Sequence, residues 1–247
     1  MRKYKLDFIS DKNVFDHVKN TVEKYRFEIN LATFNKNLVD PIKMTFDAKI
    51  YNKSIKDTIE AEIIRQIDKT NTNEIGYFHQ NLFKYIDPNW TVPPHGYDVV
   101  NEQQHYFVEM KNKHNTMNSS SSQKTYMRMM SKVAKDKKAI CALVEVVAKK
   151  SQNEIWKVSL DGESVSDARI RRISIDKFYE MATGQKHSFK NLCEKLPIIL
   201  DDVIASMNNR NQTNTIFKEL KEISPNLMKS IYLLSFSKYE GFDKFDI

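Results

Sequence analysis

The sequence predicts an α/β protein whose central mixed sheet is flanked by helices, with further helices at both ends of the chain. One observation is the run AICALVEVVA at 139–148, where small and β-branched apolar residues follow one another almost without a break. Such a run is typical of a strand that is buried on both faces. A second observation is the order helix, strand, strand, strand, helix, strand over residues 74–148, which favours helices packed on a shared sheet.

The first third of the chain is predicted to be mostly helical. Apolar residues recur at helical spacing in 10–26, 54–69 and 74–86. The polar stretch between the last two of these helices is expected to separate them. Residues 27–52 match neither a helix nor a strand pattern, and Pro41 is expected to interrupt them.

The middle of the chain is predicted to contain the sheet. The segments YDVVNEQQ and HYFVEMKNK, at 97–104 and 105–113, have the composition of two strands and should pair as a hairpin through a turn at 101–104. A helix is expected from about Ser120 to Lys137, ahead of the buried strand. The remaining segments are a strand at 154–160, a basic stretch at 167–184, and helices at 192–207 and 214–235.

The chain is expected to form a single domain over residues 1–247. Within it, a helical N-terminal subregion at 1–72 and a helical C-terminal subregion at 191–247 surround a core at 73–190. The core contains the residues that carry chemistry.

Composition favours a nucleic-acid partner and excludes other classes. The net charge of +7 over 247 residues suits a polyanionic ligand, although an AT-biased genome would also enrich lysine. The chain has no apolar run of membrane-spanning length and no signal-peptide pattern at its start. Five glycines, with neither GxxxxGK[ST] nor GxGxxG, argue against a nucleotide cofactor. We therefore expect a soluble, intracellular protein with no membrane partner.

The strongest candidate site consists of Asp98, Glu109 and Lys111. Side chains alternate along a strand, so Glu109 and Lys111 share one face, and Asp98 can approach Glu109 across the hairpin. Two carboxylates, with a phosphate and water, satisfy the octahedral oxygen shell of Mg²⁺. The lysine can orient a water and stabilise the charge that develops during phosphodiester hydrolysis. A solvated strand face is the alternative, and the surrounding order of elements favours the nuclease site.

These residues carry a resemblance to a known family. The chain resembles the PD-(D/E)xK nuclease superfamily, with Asp98, Glu109 and Lys111 on its motif positions. More narrowly, GYDVVNEQQHYFVEMKNKHNTMNSSSSQKTY is similar to a small group of type II restriction endonucleases that cut GGNCC or GGWCC sites. IGYFHQ at 75–80 and FYEMATG at 178–184 extend this resemblance over roughly residues 55–190.

The resemblance implies a restriction-endonuclease-like core of order αβββαβ and Mg²⁺ held by Asp98 and Glu109. It also implies cleavage of double-stranded DNA at a short palindrome by a homodimer, leaving 5′-phosphate ends. Such an enzyme is expected in the cytoplasm of a prokaryotic cell. Two positions depart from the superfamily pattern. Tyr97 stands where a proline usually precedes the first aspartate, and the fourth active-site residue could be Glu74, His79 or Gln80.

Further candidates surround the trio. By resemblance, Gln123 is expected to position water. Arginine recognises guanine through two hydrogen bonds, which draws attention to the arginine-rich stretch at 169–172. Solvated charges and an ordinary polar turn are the alternatives. The predicted DNA contacts are Lys113, Asn115, Asn118, Ser119, Ser120, Lys124, Arg128, Arg169, Arg171 and Arg172.

Two other functions remain open from the residues alone. A repair or junction-resolving nuclease of the same fold would act on DNA structure and not on sequence. A non-catalytic DNA-binding protein on a degenerate nuclease scaffold would bind duplexes without cutting them. Retention of Asp98, Glu109 and Lys111 argues against the second alternative.

Overall fold

The computed structural model describes residues 2–114, 116–207, 213–239 and 242–247. Its α-helices are α1 (Asp11–Lys24), α2 (Leu31–Asn35), α3 (Pro41–Ile50), α4 (Ile55–Ile86), α5 (Ser119–Lys135), α6 (Ile175–Thr183), α7 (Ser188–Ser206), α8 (Ile216–Ile223) and α9 (Leu227–Phe236). Its strands are β1 (Glu28–Ile29), β2 (Trp90–Thr91), β3 (Val99–Asn101), β4 (Tyr106–Lys113), β5 (Ile140–Val147), β6 (Asn153–Leu160), β7 (Glu163–Ser174) and β8 (Thr213–Asn214).

The main sheet has six strands in the order β2-β3-β4-β5-β7-β6. Strands β4, β5 and β7 are parallel, whereas β3 and β6 pair antiparallel with their neighbours. The predicted hairpin is therefore present as β3 and β4. The observed order α4, β2, β3, β4, α5, β5 confirms the predicted mixed sheet between helices.

Apolar cores cover both faces of this sheet. On one face, Tyr126, Met129 and Val133 of α5 pack with side chains of β4, β5 and β7. On the other face, residues of α1, α6, α7 and the C-terminal part of α4 pack with a second set from the same strands. Strand β5 contributes to both cores, which is why its sequence shows no alternation of apolar and polar residues.

The chain forms two compact units that do not follow the three consecutive subregions expected from the sequence. The first unit combines the residues up to Glu23 with Ile75–Met207 and contains the main sheet. The second combines Lys24–Glu74 with the described residues of Asn208–Ile247. Its own core includes Phe34, Ile59 and Leu220. The N-terminal helix α1 thus belongs to the unit with the sheet.

The expected break between two helices is wrong, because both segments belong to the single helix α4. It runs without a break through the polar stretch at 69–73. That stretch contains neither glycine nor proline, and its side chains make bonds that suit a helix. The Thr70 hydroxyl donates to the Gln66 carbonyl at 3.1 Å, and Asn71 accepts from the Arg26 N–H at 3.0 Å. Packing of apolar residues on both sides outweighs the low helix propensity of Thr and Asn.

Two prolines also act differently from the expectation. Pro41 begins α3 instead of interrupting the segment, because its missing N–H costs nothing at the first helical position. Asp40 caps the helix by accepting from the N–H groups of Ile42 and Lys43, each at 3.0 Å. The helix expected at 214–235 is divided into α8 and α9, since Pro225 lies between them.

The basic stretch at 167–184 is divided between β7 and α6. None of the helices among the described residues combines the length and the apolar character needed to span a membrane.

Candidate active site

The hairpin of β3 and β4 brings Asp98 opposite Glu109. Val99 pairs with Val108 in antiparallel register, so Asp98, the residue before β3, stands across from Glu109. Two hydrogen bonds fix Asp98. Its N–H donates to the Val108 carbonyl at 2.8 Å, and its Oδ2 accepts from the Met110 N–H at 2.7 Å. The predicted approach of the two acidic residues is therefore present in the fold.

Both carboxylate oxygens of Glu109 contact cations. Lys111 Nζ donates to Oε1 at 2.7 Å, and the Arg128 guanidinium donates to Oε2. Two further contacts hold Arg128, which donates to the Gly96 carbonyl at 2.7 Å and lies 4.8 Å from the centre of the Tyr97 ring. Arg128, predicted as a DNA contact, is thus part of the acidic site itself.

The electrostatics of the pair follow from its burial. Glu109 is 8% exposed, and Asp98 is half-buried. Burial raises the pKa of Asp98, and the nearby charge of Glu109 raises it further. The Met110 N–H, Lys111 and Arg128 lower the pKa of Asp98, but they do not cancel these effects. Two carboxyl groups in one half-buried place repel each other, and a cation between them relieves that repulsion.

This donor set fits Mg²⁺. Magnesium is usually bound by one or two carboxylates together with water and substrate phosphate, and not by a cage of protein ligands. Among the described residues, no group of three His, Cys, Asp or Glu side chains converges in a way that could hold a metal. A site of two carboxylates with an adjacent lysine matches the usual Mg²⁺ arrangement, in which water and substrate phosphate complete the ligands.

The start of α5 holds several predicted DNA contacts. Asn118 caps the helix, and its Oδ1 accepts from the Ser121 N–H at 2.9 Å. Ser119 and Ser120 form the first exposed positions of the helix, and Lys124 is exposed one turn later. The exposed Lys113 ends β4, whereas the predicted contact Asn115 lies outside the described residues.

The side chain of Gln123 contacts β6. Its Nε2 donates to the Ser159 carbonyl at 2.8 Å. This bond orients the amide toward the neighbouring strand, so its expected role in positioning water stays a prediction.

The three arginines of β7 do not form one patch, because each makes its own contacts within the chain. Arg169 pairs with Asp167 and donates to the Val133 carbonyl at 2.9 Å, near the end of α5. Arg171 bonds to the side chain and the carbonyl of Asn153. Arg172 pairs with the buried Glu145.

The fourth active-site position stays open among its three candidates. His79 is 8% exposed and packs edge-on against Phe78 with ring centres 5.2 Å apart. Burial lowers its pKa to about 4, which describes a neutral core histidine. Gln80 and Glu74 are half-buried on α4, and Glu74 falls in the second compact unit.

Sequence reasoning did not single out Glu145. This glutamate is 1% exposed on β5, where it contacts Arg172 and His114. The one available signal was a carboxylate inside an otherwise apolar strand, since such a group is buried only together with partners.

A mixed sheet between two helical layers, with an acidic hairpin of two inner strands, defines a restriction-endonuclease-like α/β protein. The chain belongs to the Eco47II restriction endonuclease family, whose sequence profile matches residues 6–205. It is 35% identical over 228 residues to the type II restriction enzyme Sau96I of Staphylococcus aureus, with 87% of each chain covered. It is 27% identical over 213 residues to the type II restriction enzyme Eco47II of Escherichia coli, with 81% of this chain and 88% of that enzyme covered. The predicted class, a type II site-specific deoxyribonuclease, is confirmed.

Proposed function

We propose that this restriction endonuclease uses Mg²⁺ to hydrolyse double-stranded DNA at a short palindrome of the GGNCC kind, leaving 5′-phosphate and 3′-hydroxyl ends. The observation that carries the proposal is the antiparallel register that sets Asp98 opposite Glu109, with Lys111 bonded to Glu109. The narrower choice of site rests on the likeness of segment 96–126 to endonucleases that cut GGNCC or GGWCC.

The chemistry assigns a role to each member of the trio. Asp98 and Glu109 would hold the cation through their carboxylate oxygens. When bound, Mg²⁺ polarises a phosphoryl oxygen and acidifies water. Lys111 Nζ, which lies 2.7 Å from Glu109 Oε1, orients the attacking water and stabilises the negative charge that accumulates during in-line attack.

The palindromic substrate supports a homodimer. Both strands of a palindrome carry the same sequence, so two identical subunits related by a two-fold axis can each cut one strand. Such an enzyme would meet incoming DNA in the cytoplasm of a prokaryotic cell.

Digestion of unmethylated phage DNA, with Mg²⁺ and with EDTA, tests the proposal. We expect discrete fragments only with Mg²⁺, and sequencing of their ends gives the site and the stagger. Asp98→Asn and Lys111→Met should each lower the cleavage rate at least about 100-fold. Lys190→Gln on α7, an exposed lysine paired with Glu194, should cleave like the wild type.

Other outcomes would replace the proposal. Cleavage of unrelated duplexes at similar rates would favour the structure-directed nuclease. Duplex binding without Mg²⁺-dependent cleavage would favour the non-catalytic DNA-binding protein. Full activity of Asp98→Asn or Lys111→Met would overturn the assignment of the trio.

A further inference from the structure

A second charged group lies on the same sheet as the trio. Its centre is the buried carboxylate of Glu145, whose Oε1 accepts from Arg172 Nε at 3.1 Å and also contacts Arg172 Nη2. Glu145 Oε2 lies 3.0 Å from Nδ1 of His114. The same Nδ1 lies 2.7 Å from Arg172 Nη2. Every member of this group therefore contacts both of the others.

The backbone fixes His114 in this position. Its N–H donates to the Val147 carbonyl at 3.0 Å, which extends the pairing of β4 with β5 by one step. A buried carboxylate is tolerated where ion pairs and hydrogen bonds satisfy it, and Glu145 has such partners at both oxygens. The side chains of Arg172 and His114 are each 22% exposed, so both reach the surface while Glu145 does not.

These two side chains open onto a cavity of about 270 Å³. Its lining residues are His114, Met117, Ser122, Leu143, Trp156 and Arg172. The wall thus presents a guanidinium, an imidazole and a hydroxyl, whereas the carboxylate of Glu145 lies behind it. No acidic side chain is among the lining residues in the described part of the chain. A concave wall of hydrogen-bond donors around a cation suits an anion.

The cavity lies beside the trio on the same face of the sheet. Glu109 pairs with Leu143, and Leu143 pairs with Arg172, in one row across β4, β5 and β7. Side chains in register on neighbouring strands point to the same face. The Cα atoms of Glu109 and Arg172 are therefore roughly 10 Å apart, two strand spacings. A DNA strand with one phosphate at the trio would bring a neighbouring phosphate near the cavity.

We propose that this cavity binds a backbone phosphate one or two nucleotides from the phosphate that is cleaved. Arg172, His114 and Ser122 donate to its oxygens, and Glu145 holds Arg172 and His114 in place. The inference rests on the proposed function for the position of the DNA. It assigns positioning, and no part in bond breaking, to the three donors.

Binding without metal provides the test. The probe is a fluorescent 30-base-pair duplex of arbitrary sequence in EDTA, titrated at several salt concentrations. His114→Phe with Ser122→Ala removes two donors and leaves the Glu145–Arg172 pair intact. Glu145→Gln with Arg172→Gln replaces the buried ion pair by two amides. Thermal unfolding of both double variants checks that they fold.

We expect each double variant to bind the duplex about tenfold more weakly, as for the loss of one charge-assisted contact. The slope of log K against log salt should fall by about 1 in the variant that lacks Arg172. Lys190→Gln removes one positive charge from α7, which packs on the other face of the sheet, and should leave affinity and slope unchanged.

Wild-type affinity and slope in both folded double variants would overturn the phosphate subsite. Since no cleavage is measured, this result differs from a failure of the proposed function. A wild type that binds but never cuts would disprove the nuclease and leave the subsite. If the wild type cuts DNA and both double variants bind the duplex as the wild type does, the nuclease stands and the phosphate subsite is disproved.

Discussion

At the scale of single residues, two positively charged side chains contact Glu109 at once. Lys111 and Arg128 contact its separate oxygens, and Asp98 stands opposite. Two negative and two positive side chains thus share the site. If Glu109 holds a divalent cation as proposed, Arg128 would compete with that cation for Oε2, and Gly96 and Tyr97 keep the guanidinium beside the site.

Removal of this competitor should strengthen metal binding. Arg128→Met takes one positive charge from the carboxylates, so the DNA-free protein should bind Mn²⁺ roughly tenfold more tightly. Electron paramagnetic resonance of free Mn²⁺ measures this without any cleavage. Lys135→Met, an exposed lysine in the last turn of the same helix, should leave Mn²⁺ affinity unchanged. An unchanged affinity in Arg128→Met would show that the ion pair does not compete with the cation.

The raised pKa of Asp98 has a consequence for stability. Burial and the charge of Glu109 raise this pKa above the value in the unfolded chain. The folded state then binds the proton more tightly, so ionisation of Asp98 costs stability as pH rises. Without divalent cations, Asp98→Asn should raise the midpoint of thermal unfolding by about 3 °C at pH 8. The gain should shrink as pH falls toward 4.

Differential scanning fluorimetry between pH 8 and pH 4 measures this difference. Asp201→Asn, which changes an exposed carboxylate on α7, serves as the matched control and should show little change at either pH. If Asp98→Asn melted at or below the wild-type temperature at pH 8, burial of the ionised carboxylate would not be costly.

The trio could be predicted because its geometry is local. The alternation of side chains and one short turn determine which residues of a hairpin face each other. The contacts of Arg128 and Glu145 could not be predicted from the sequence, because they depend on how α5 and β7 lie against the hairpin. The separate contacts of Arg169, Arg171 and Arg172 have the same cause, because their partners Val133, Asn153 and Glu145 lie on three different elements.

At the scale of elements, apolar patterns predicted helices and strands better than polar ones predicted breaks. Strand β5 and helices α1 and α5 lie close to their expected bounds. The polar stretch at 69–73 did not end α4, because α4 has packing partners before and after it. Threonine and asparagine weaken a helix only by tenths of a kcal/mol each, roughly 0.5 relative to alanine. The stabilisation of α4 by tertiary packing exceeds that cost.

Proline alone did not predict where a helix begins or ends, because its effect also depends on the neighbouring residues. Pro41 opens α3 and Pro225 divides α8 from α9. Proline disfavours the interior of a helix but does not exclude it, since Pro197 lies inside α7, and the neighbouring residues decide where a helix begins or ends. Asp40 before Pro41 supplies a cap, which is the signal that would have placed the start of α3 correctly.

At the scale of the whole molecule, two units have separate apolar cores. One core of the first unit includes Leu82 and Trp90, and the core of the second includes Ile59. Trp156, the other tryptophan of the chain, also belongs to the first unit. Tryptophan fluorescence therefore reports on the first unit, whereas far-ultraviolet circular dichroism reports on helices of both.

Truncation of one core at a time should separate the two units. Ile59 and Leu82 are both fully buried on α4, so their alanine variants are matched in helix and in burial. Each should cost about 2–5 kcal/mol in its own core. Ile59→Ala should lower the dichroism transition and leave the fluorescence transition in place, whereas Leu82→Ala should lower the fluorescence transition. Equal shifts of both signals in both variants would mean that α4 couples the cores into one cooperative body.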